Sequence, residues 1–421
     1  MYLLYIDPGT GSMLFAALVG IVSTLFFFLQ KFWLKLKFFL TGGRAKEDAN
    51  AKKVPCVIFG EDGRYWNLFR DICEEMEARQ MECEYYTMDE KDPVLQTGYE
   101  HIHPSFIGDG NRAFAKLNLM KAKVCLSTTP DLDVLQWKRS KNVDQYLHIY
   151  HAVDEGTGYR MFGMDFFDCI LVSSEFQASY IRRMEEMRHL KPKDLPVVGS
   201  TYLDDLLRRA AEVKKDKDKD DIVVLLAPSW GESGILTRFG DRILEALVKT
   251  GYHIIIRPHP QTRKVERQIL DPLKSKYPAG EKLEWDESSD NFGSLSRADV
   301  MISDFSGVVF DFALVFNKPV IFADTSFDKS PYDSAWFDEP LWRLQVLDQM
   351  GISLKQEDFP RMKEVIDGLI ADDHFQKGRD RLREQVWQNR GASAKSVVDY
   401  LEAVLGEGDA AEEHGGEEKS A

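Results

Sequence analysis

Residues 300–322, VMISDFSGVVFDFALVFNKPVIF, decide the fold. The apolar run 300–303 reads as a buried strand. Ser303, Asp304, Ser306 and Gly307 make a small-residue turn, an apolar helical pattern follows, and Pro319 leads into a second strand at 318–322. Strand, turn, helix and strand in that order form the repeating unit of a parallel sheet. Such a turn is also an anion cradle, because the Ser306 hydroxyl and the N–H groups around Gly307 meet a diphosphate at the positive end of the helix dipole. Asp311, one turn along, has the charge and reach to accept hydrogen bonds from ribose hydroxyls.

The same alternation extends in both directions. Strands are expected at 222–228 (IVVLLAP), 252–258 (YHIIIRP) and 282–285 (KLEW), and upstream at 54–60, 83–88, 123–128, 146–151, 168–173 and 195–199. Between the two sets lies KKDKDKDD, a charged run without apolar anchors that reads as a linker. The chain is therefore α/β, with two doubly wound Rossmann-like lobes at 54–205 and 222–355 joined by a charged linker within 206–221. Helices at 356–406 are expected to pack back across the lobes. Ligands of doubly wound sheets sit at the C-terminal ends of the strands, so the cleft between the lobes is the expected site.

Three further strand ends carry chemistry toward that cleft. IIIRPHPQT presents Arg257 and His259, with Pro258 and Pro260 stiffening the exit, Arg257 for bidentate phosphate recognition and His259 as a donor to a phosphate oxygen. LLAPSWGESG adds Ser229. In the first lobe YLHIYHAVDEGTGY ends in His151, followed by Asp154 and Glu155. An imidazole there can act as general base, with a neighbouring carboxylate to orient it. His148, on the opposite strand face, is expected to pack in the core. The DLD at 131–133 reads as a capping element and the HIHP at 101–104 lacks further ligands, so no metal site is expected.

Composition narrows the function. The 421 residues carry a net charge of -15, which argues against a nucleic-acid partner. Residues 407–421 hold six carboxylates against one lysine and read as a disordered acidic tail. The five cysteines form no CxxC pair and lie in apolar runs, as buried reduced thiols do. Residues 13–29 contain no charge, and as a helix would rise about 26 Å, close to a bilayer core. Lys31, Lys35, Lys37, Arg44 and Lys46 follow as a basic collar. Residues 1–43 are thus expected to form a single transmembrane anchor in the cell membrane, with the catalytic part on the cytoplasmic side.

Taken in order, His151 with its Gly-rich turn, VVGSTYLDDL at 197–206, LAPSW, RPHP and SDFSGVVFDFALVFNKPVIF resemble the CDP-glycerol glycerophosphotransferases of bacterial teichoic-acid synthesis. The resemblance implies a GT-B fold, with His151 as the acceptor-activating base. It places Arg257 and His259 at the diphosphate and Ser303, Asp304, Ser306, Gly307 and Asp311 in the nucleotide-binding element. It further implies transfer of glycerol phosphate, or another alditol phosphate, from a CDP-linked donor to a hydroxyl of a membrane-bound glycolipid or polymer. The donor is a substrate, and no cofactor is expected. An inverting glycosyltransferase using a nucleotide sugar and a non-catalytic, membrane-tethered nucleotide-binding protein are the other readings.

Overall fold

The computed structural model describes residues 53–213, 221–323 and 327–417. The expected anchor at 1–43 and most of the KKDKDKDD run lie outside them. Among the described residues no helix is long and apolar enough to cross a membrane.

Two six-stranded, all-parallel sheets form the two lobes. The first comprises β1 Val54–Gly60, β2 Cys83–Thr87, β3 Ile102–Phe106, β4 Ala122–Ser127, β5 Val143–Ile149 and β6 Cys169–Leu171, in the spatial order β3-β2-β1-β4-β5-β6. The second comprises β7 Val223–Leu226, β8 His253–Ile256, β9 Leu283–Trp285, β10 Val300–Ser303, β11 Val320–Ala323 and β12 Gly351–Leu354, in the order β12-β11-β10-β7-β8-β9. Each sheet reverses direction once, between β1 and β4 and between β7 and β10, and these switch points open the crevices where ligands bind. Buried clusters cover both faces of both sheets, which is why the strands read as continuous apolar runs rather than alternating ones.

The helix Trp66–Ala78 buries Trp66, Phe69, Ile72, Cys73 and Met76 at helical spacing against the first sheet. The same core takes Val397, Val398 and Leu401 of the last helix, Ser393–Glu417. The chain therefore leaves the second lobe and finishes on the first. Asp204 fixes this return, accepting from Trp387 Nε1 at 3.1 Å, Gly391 N at 2.9 Å and Ser393 N at 3.0 Å. All five cysteines are buried and unpaired.

The structure departs from the sequence reading at several elements. Residues 195–199 form no strand, only an isolated bridge at Val197 with another just before them at Asp194, since Pro196 has no N–H to donate and Gly199 turns the chain at φ +91°. The edge strand β3 contains Pro104, and the edge strand β12, GISL, buries only its two ends, so both lack a continuous apolar run. The helix Thr201–Glu212 occupies the first part of the expected linker. The last helix runs to Glu417, into the acidic stretch read as disordered.

Candidate active site

Strand ends from both lobes converge on one cleft, a cavity of about 350 Å3. On the second-lobe side, the SDFSG turn divides its labour. Ser303 Oγ donates to the Ala227 carbonyl at 2.6 Å, tying β10 to the end of β7. Asp304, 1% exposed, accepts from Ser229 N at 3.0 Å and Ile235 N at 3.1 Å. Burial pushes its carboxyl up while these bonds hold it down. Ser229, Ser303 and Asp304 thus build the frame behind the cradle and do not line the cleft. Ser306, Gly307, Val308 and Asp311 do line it. The helix that they open is a single α turn, Val308–Phe310, passing into a π turn at Asp311–Val315, a geometry common at functional sites.

Asp311 is the carboxylate on the cleft wall most perturbed by its surroundings. Burial pushes its carboxyl up to about 7, against the lowering effect of a hydrogen bond from the Tyr202 hydroxyl to Oδ2 at 3.3 Å. Asn291 Nδ2 in turn donates to Tyr202 at 2.7 Å, which aims that hydroxyl at the carboxylate. If ribose hydroxyls donate to the ionised form, affinity for CDP should rise with pH through about 7 and the dependence should vanish in Asp311→Asn. Calorimetry against CDP at pH 6 and pH 8 measures this; equal affinities in the native protein would remove Asp311 from the ribose contact.

Arg257 and His259 both reach the cleft, with different chemistry. Arg257 donates to Asp286 Oδ2 at 2.5 Å, Ser288 Oγ at 3.1 Å and the Ser288 carbonyl at 2.9 Å. Burial alone would raise Asp286, but bonds from Ser288 and Ser294 and the Arg257 charge hold it at about 2, so the guanidinium is locked in direction. His259 was expected to donate to phosphate, and it can do so only as a neutral ring. Burial, with Arg64 and Arg263 nearby, pushes its imidazole down to about 4. Nδ1 accepts from Gln261 N at 3.1 Å, so the proton sits on Nε2, which is left to donate.

On the first-lobe wall stands His151, just past β5. Its Nδ1 lies 3.2 Å from the Tyr159 hydroxyl and 3.3 Å from the Thr128 hydroxyl. Hydroxyls, rather than the expected carboxylate, orient the ring and leave Nε2 for the cleft. Burial lowers its pKa, Asp154 opposes this and Arg64 adds to it; the ring is neutral at pH 7. Asp154 lines the cleft but pairs with Arg343 Nη1 at 3.2 Å, and Glu155, 1% exposed, pairs with Arg343 Nε at 3.0 Å. Neither carboxylate hydrogen-bonds His151. They hold the Gly-rich turn to the second lobe instead. Burial keeps His148 neutral among Tyr150, Tyr159 and Phe167, as a packing residue.

Arg64, Tyr65, Tyr202, Asn291 and Arg343 line the cleft without having been singled out in the sequence. Arg64, doubly bonded to Asp62 at 2.8 and 2.9 Å, follows β1 in GEDGR, a strand-to-glycine turn that could have flagged it. Arg343 has no such signal. It sits in the four-residue helix Trp342–Gln345, 188 residues from Glu155. His101 and His103 both bond Glu82, at 2.8 and 3.0 Å, and Asp133 accepts from Arg139 N at 3.0 Å. Among the described residues no group of three or more side chains is placed to hold a metal.

A family model described as CDP-glycerol:poly(glycerophosphate) glycerophosphotransferase matches residues 67–335. Among solved structures, the wall teichoic acid polymerase TagF is 16% identical, with 92% of this chain and 98% of that one covered at a TM-score of 0.59. UDP-GlcNAc 2-epimerase from Methanocaldococcus jannaschii, in complex with UDP-GlcNAc and UDP, is 14% identical over 83% of this chain and 99% of its own, TM-score 0.52. S. aureus MnaA with UDP gives 12%, 84%, 97% and 0.52. At these identities the likenesses establish the two-lobed GT-B-like fold. No curated protein matches the chain by sequence.

Proposed function

Since the chain belongs to the CDP-glycerol:poly(glycerophosphate) glycerophosphotransferase family, we propose that this transferase moves glycerol phosphate, or a related alditol phosphate, from a CDP-linked donor to a hydroxyl of a membrane-bound glycolipid or cell-envelope polymer. One observation carries the reading. A neutral imidazole, His151, and a turn with cationic and N–H donors, Ser306 to Asp311 with Arg257 and His259, line the same cleft from opposite lobes.

In this reading the donor's diphosphate lies on the Ser306–Gly307 turn, whose first N–H groups have no intrahelical partner. Arg257 and the His259 Nε2–H meet its oxygens, and Asp311 takes the ribose. The acceptor oxygen attacks the phosphorus that bears the glycerol. Its proton passes to His151 Nε2, while Nδ1–H donates to the Tyr159 or Thr128 oxygen. A new P–O bond forms, the bridging P–O bond to the α-phosphate breaks, and CMP leaves with its charge offset by Arg257 and the cradle. Residues 13–29 would hold the enzyme beside its lipid-linked acceptor, which raises the acceptor's effective concentration.

Incubating membrane and soluble fractions with CDP-glycerol, CDP-ribitol and UDP-sugars in the presence of native lipid extract tests the proposal. CMP release and phosphodiester formation in the membrane fraction are expected. Release of UDP alone would make the protein a glycosyltransferase, and donor binding without any product would leave a nucleotide-binding protein.

A further inference from the structure

The turn that follows β1, GEDGRY, brings Arg64 and Tyr65 to the cleft from the first lobe. Its own residues fix it there. Gly63 lets it lie against segment 89–93, where a Cβ would come within 3.0 Å of Pro93 Cδ and 3.2 Å of Asp92 Cα, and Gly63 N donates to Asp89 Oδ2 at 3.3 Å. Asp62 accepts from Arg64 N at 2.9 Å, and the same carboxylate accepts from Arg64 Nε at 2.8 and 2.9 Å and from Nη2 at 2.5 Å. Burial would raise Asp62, but these bonds and the Arg64 charge hold it below its ordinary 3.8, so the fork stays ionised. The guanidinium plane is therefore set, and among the described residues Nη1 makes no hydrogen bond. The other two arginines that line the cleft, Arg257 and Arg343, belong to the second lobe. Tyr65 places its ring centroid 5.5 Å from that of His151. After burial, and against Asp154, Arg64 adds to the lowering of His151; after burial it is also the largest influence on His259, on the opposite wall. One guanidinium charge thus reaches both the base and a histidine set for the diphosphate.

We propose that Arg64 is a further catalytic residue, whose Nη1 binds a non-bridging oxygen of the transferred phosphorus from the acceptor's side of the cleft. The inference rests on the glycerophosphotransferase reading. In that reading the phosphorus passes from the bridging oxygen to the acceptor oxygen beside His151, between the two histidines that Arg64 influences. The guanidinium keeps its protons throughout. The acceptor's proton goes to His151 Nε2, the new P–O bond forms as the bridging P–O bond breaks, and the electron pair of that bond leaves with CMP. Charge spreads over the equatorial oxygens of the phosphorus in the transition state, and a donor already fixed toward them stabilises it without reorganising. CMP lacks the second phosphate, so Arg64 contributes to the binding of CDP and not of CMP.

The test uses the full-length protein in detergent micelles, with Arg64→Gln and Arg64→Lys. Turnover of CDP-glycerol with native lipid extract should fall about 10²- to 10³-fold in Arg64→Gln, the range for removing one fixed donor from a developing oxyanion. Arg64→Lys should recover about tenfold of that loss, because an ammonium restores the charge without the fork. By calorimetry, Arg64→Gln should weaken CDP about tenfold, as loss of a charge-assisted hydrogen bond does, and leave CMP within about twofold. Retained CMP affinity also reports an intact fold. Turnover in Arg64→Gln within about threefold of native, or CMP affinity falling in step with CDP affinity, overturns the assignment. If Arg64→Gln does not fold, the same two comparisons in Arg64→Lys decide it. The two readings fail separately: a native protein that forms no product from CDP-glycerol ends the transferase reading, and the CDP-against-CMP comparison still decides whether Arg64 holds the second phosphate.

Discussion

His151→Ala is expected to lower turnover by roughly 10²- to 10⁴-fold while leaving CDP affinity nearly intact, the range typical of losing a general base. The affinity should survive because the groups set for the nucleotide, Arg257, His259, Ser306 and Asp311, all stand on the opposite wall. The pH profile adds a second readout. Burial lowers the His151 pKa from its ordinary 6.5, so the native rate at saturating donor should fall on the acid side with its midpoint below that value, where the ring takes up a proton. The Asp311 effect, near 7, belongs to donor binding and would appear in KM. Single-turnover rates with saturating CDP-glycerol separate the two. Near-native turnover in His151→Ala would pass the base role to Asp154, the carboxylate that lines the cleft on that wall.

Arg343→Met should destabilise the protein by about 3–5 kcal/mol, because it strands two buried carboxylates, Asp154 and Glu155, without their counter-charge. The backbone N–H of Arg343 also donates to Glu155 at 3.2 Å, and the neighbouring chain is stitched across the lobes by Ser334 N to the Thr157 carbonyl and Asp333 N to the Tyr159 carbonyl, each at 2.9 Å. The turn that follows His151 is therefore tied to the second lobe, and Tyr159, which faces His151, is part of that turn. Urea unfolding measures the loss; a change below about 1 kcal/mol would mean that the clamp contributes little, since exposed pairs fall in that range. The surviving folded fraction should also transfer more slowly, with CDP affinity retained.

Much of the architecture is legible from the strands. A parallel sheet covered on both faces must present apolar residues without alternation, so runs such as 222–226, 253–256 and 300–303 announce themselves. β3 and β12 escape because one is an edge strand with a proline and the other, GISL, is an edge strand with only its two ends buried, so each carries too little of that pattern. Likewise, polar residues at strand ends are visible as candidates, since the polypeptide itself puts them at the C-terminal rim of a doubly wound sheet. His151, Arg257, His259, Ser306, Gly307 and Asp311 reach the cleft for that reason.

Which partners the polar residues near those strand ends take depends on the tertiary structure. Ser303 and Asp304 are as polar and as close to the turn as Ser306, yet the neighbouring strand end captures them as β7 and β10 pair. Asp154 and Glu155 stand beside the histidine in sequence, but Arg343 of the other lobe takes both. His259 is neutral because of burial and of Arg64, almost two hundred positions away. Strand patterns and strand-end positions are local properties of a chain and can be read along it. Ion-pair partners, desolvation and the charge state of a buried ring depend on which distant segments pack together, and only the folded lobes determine that.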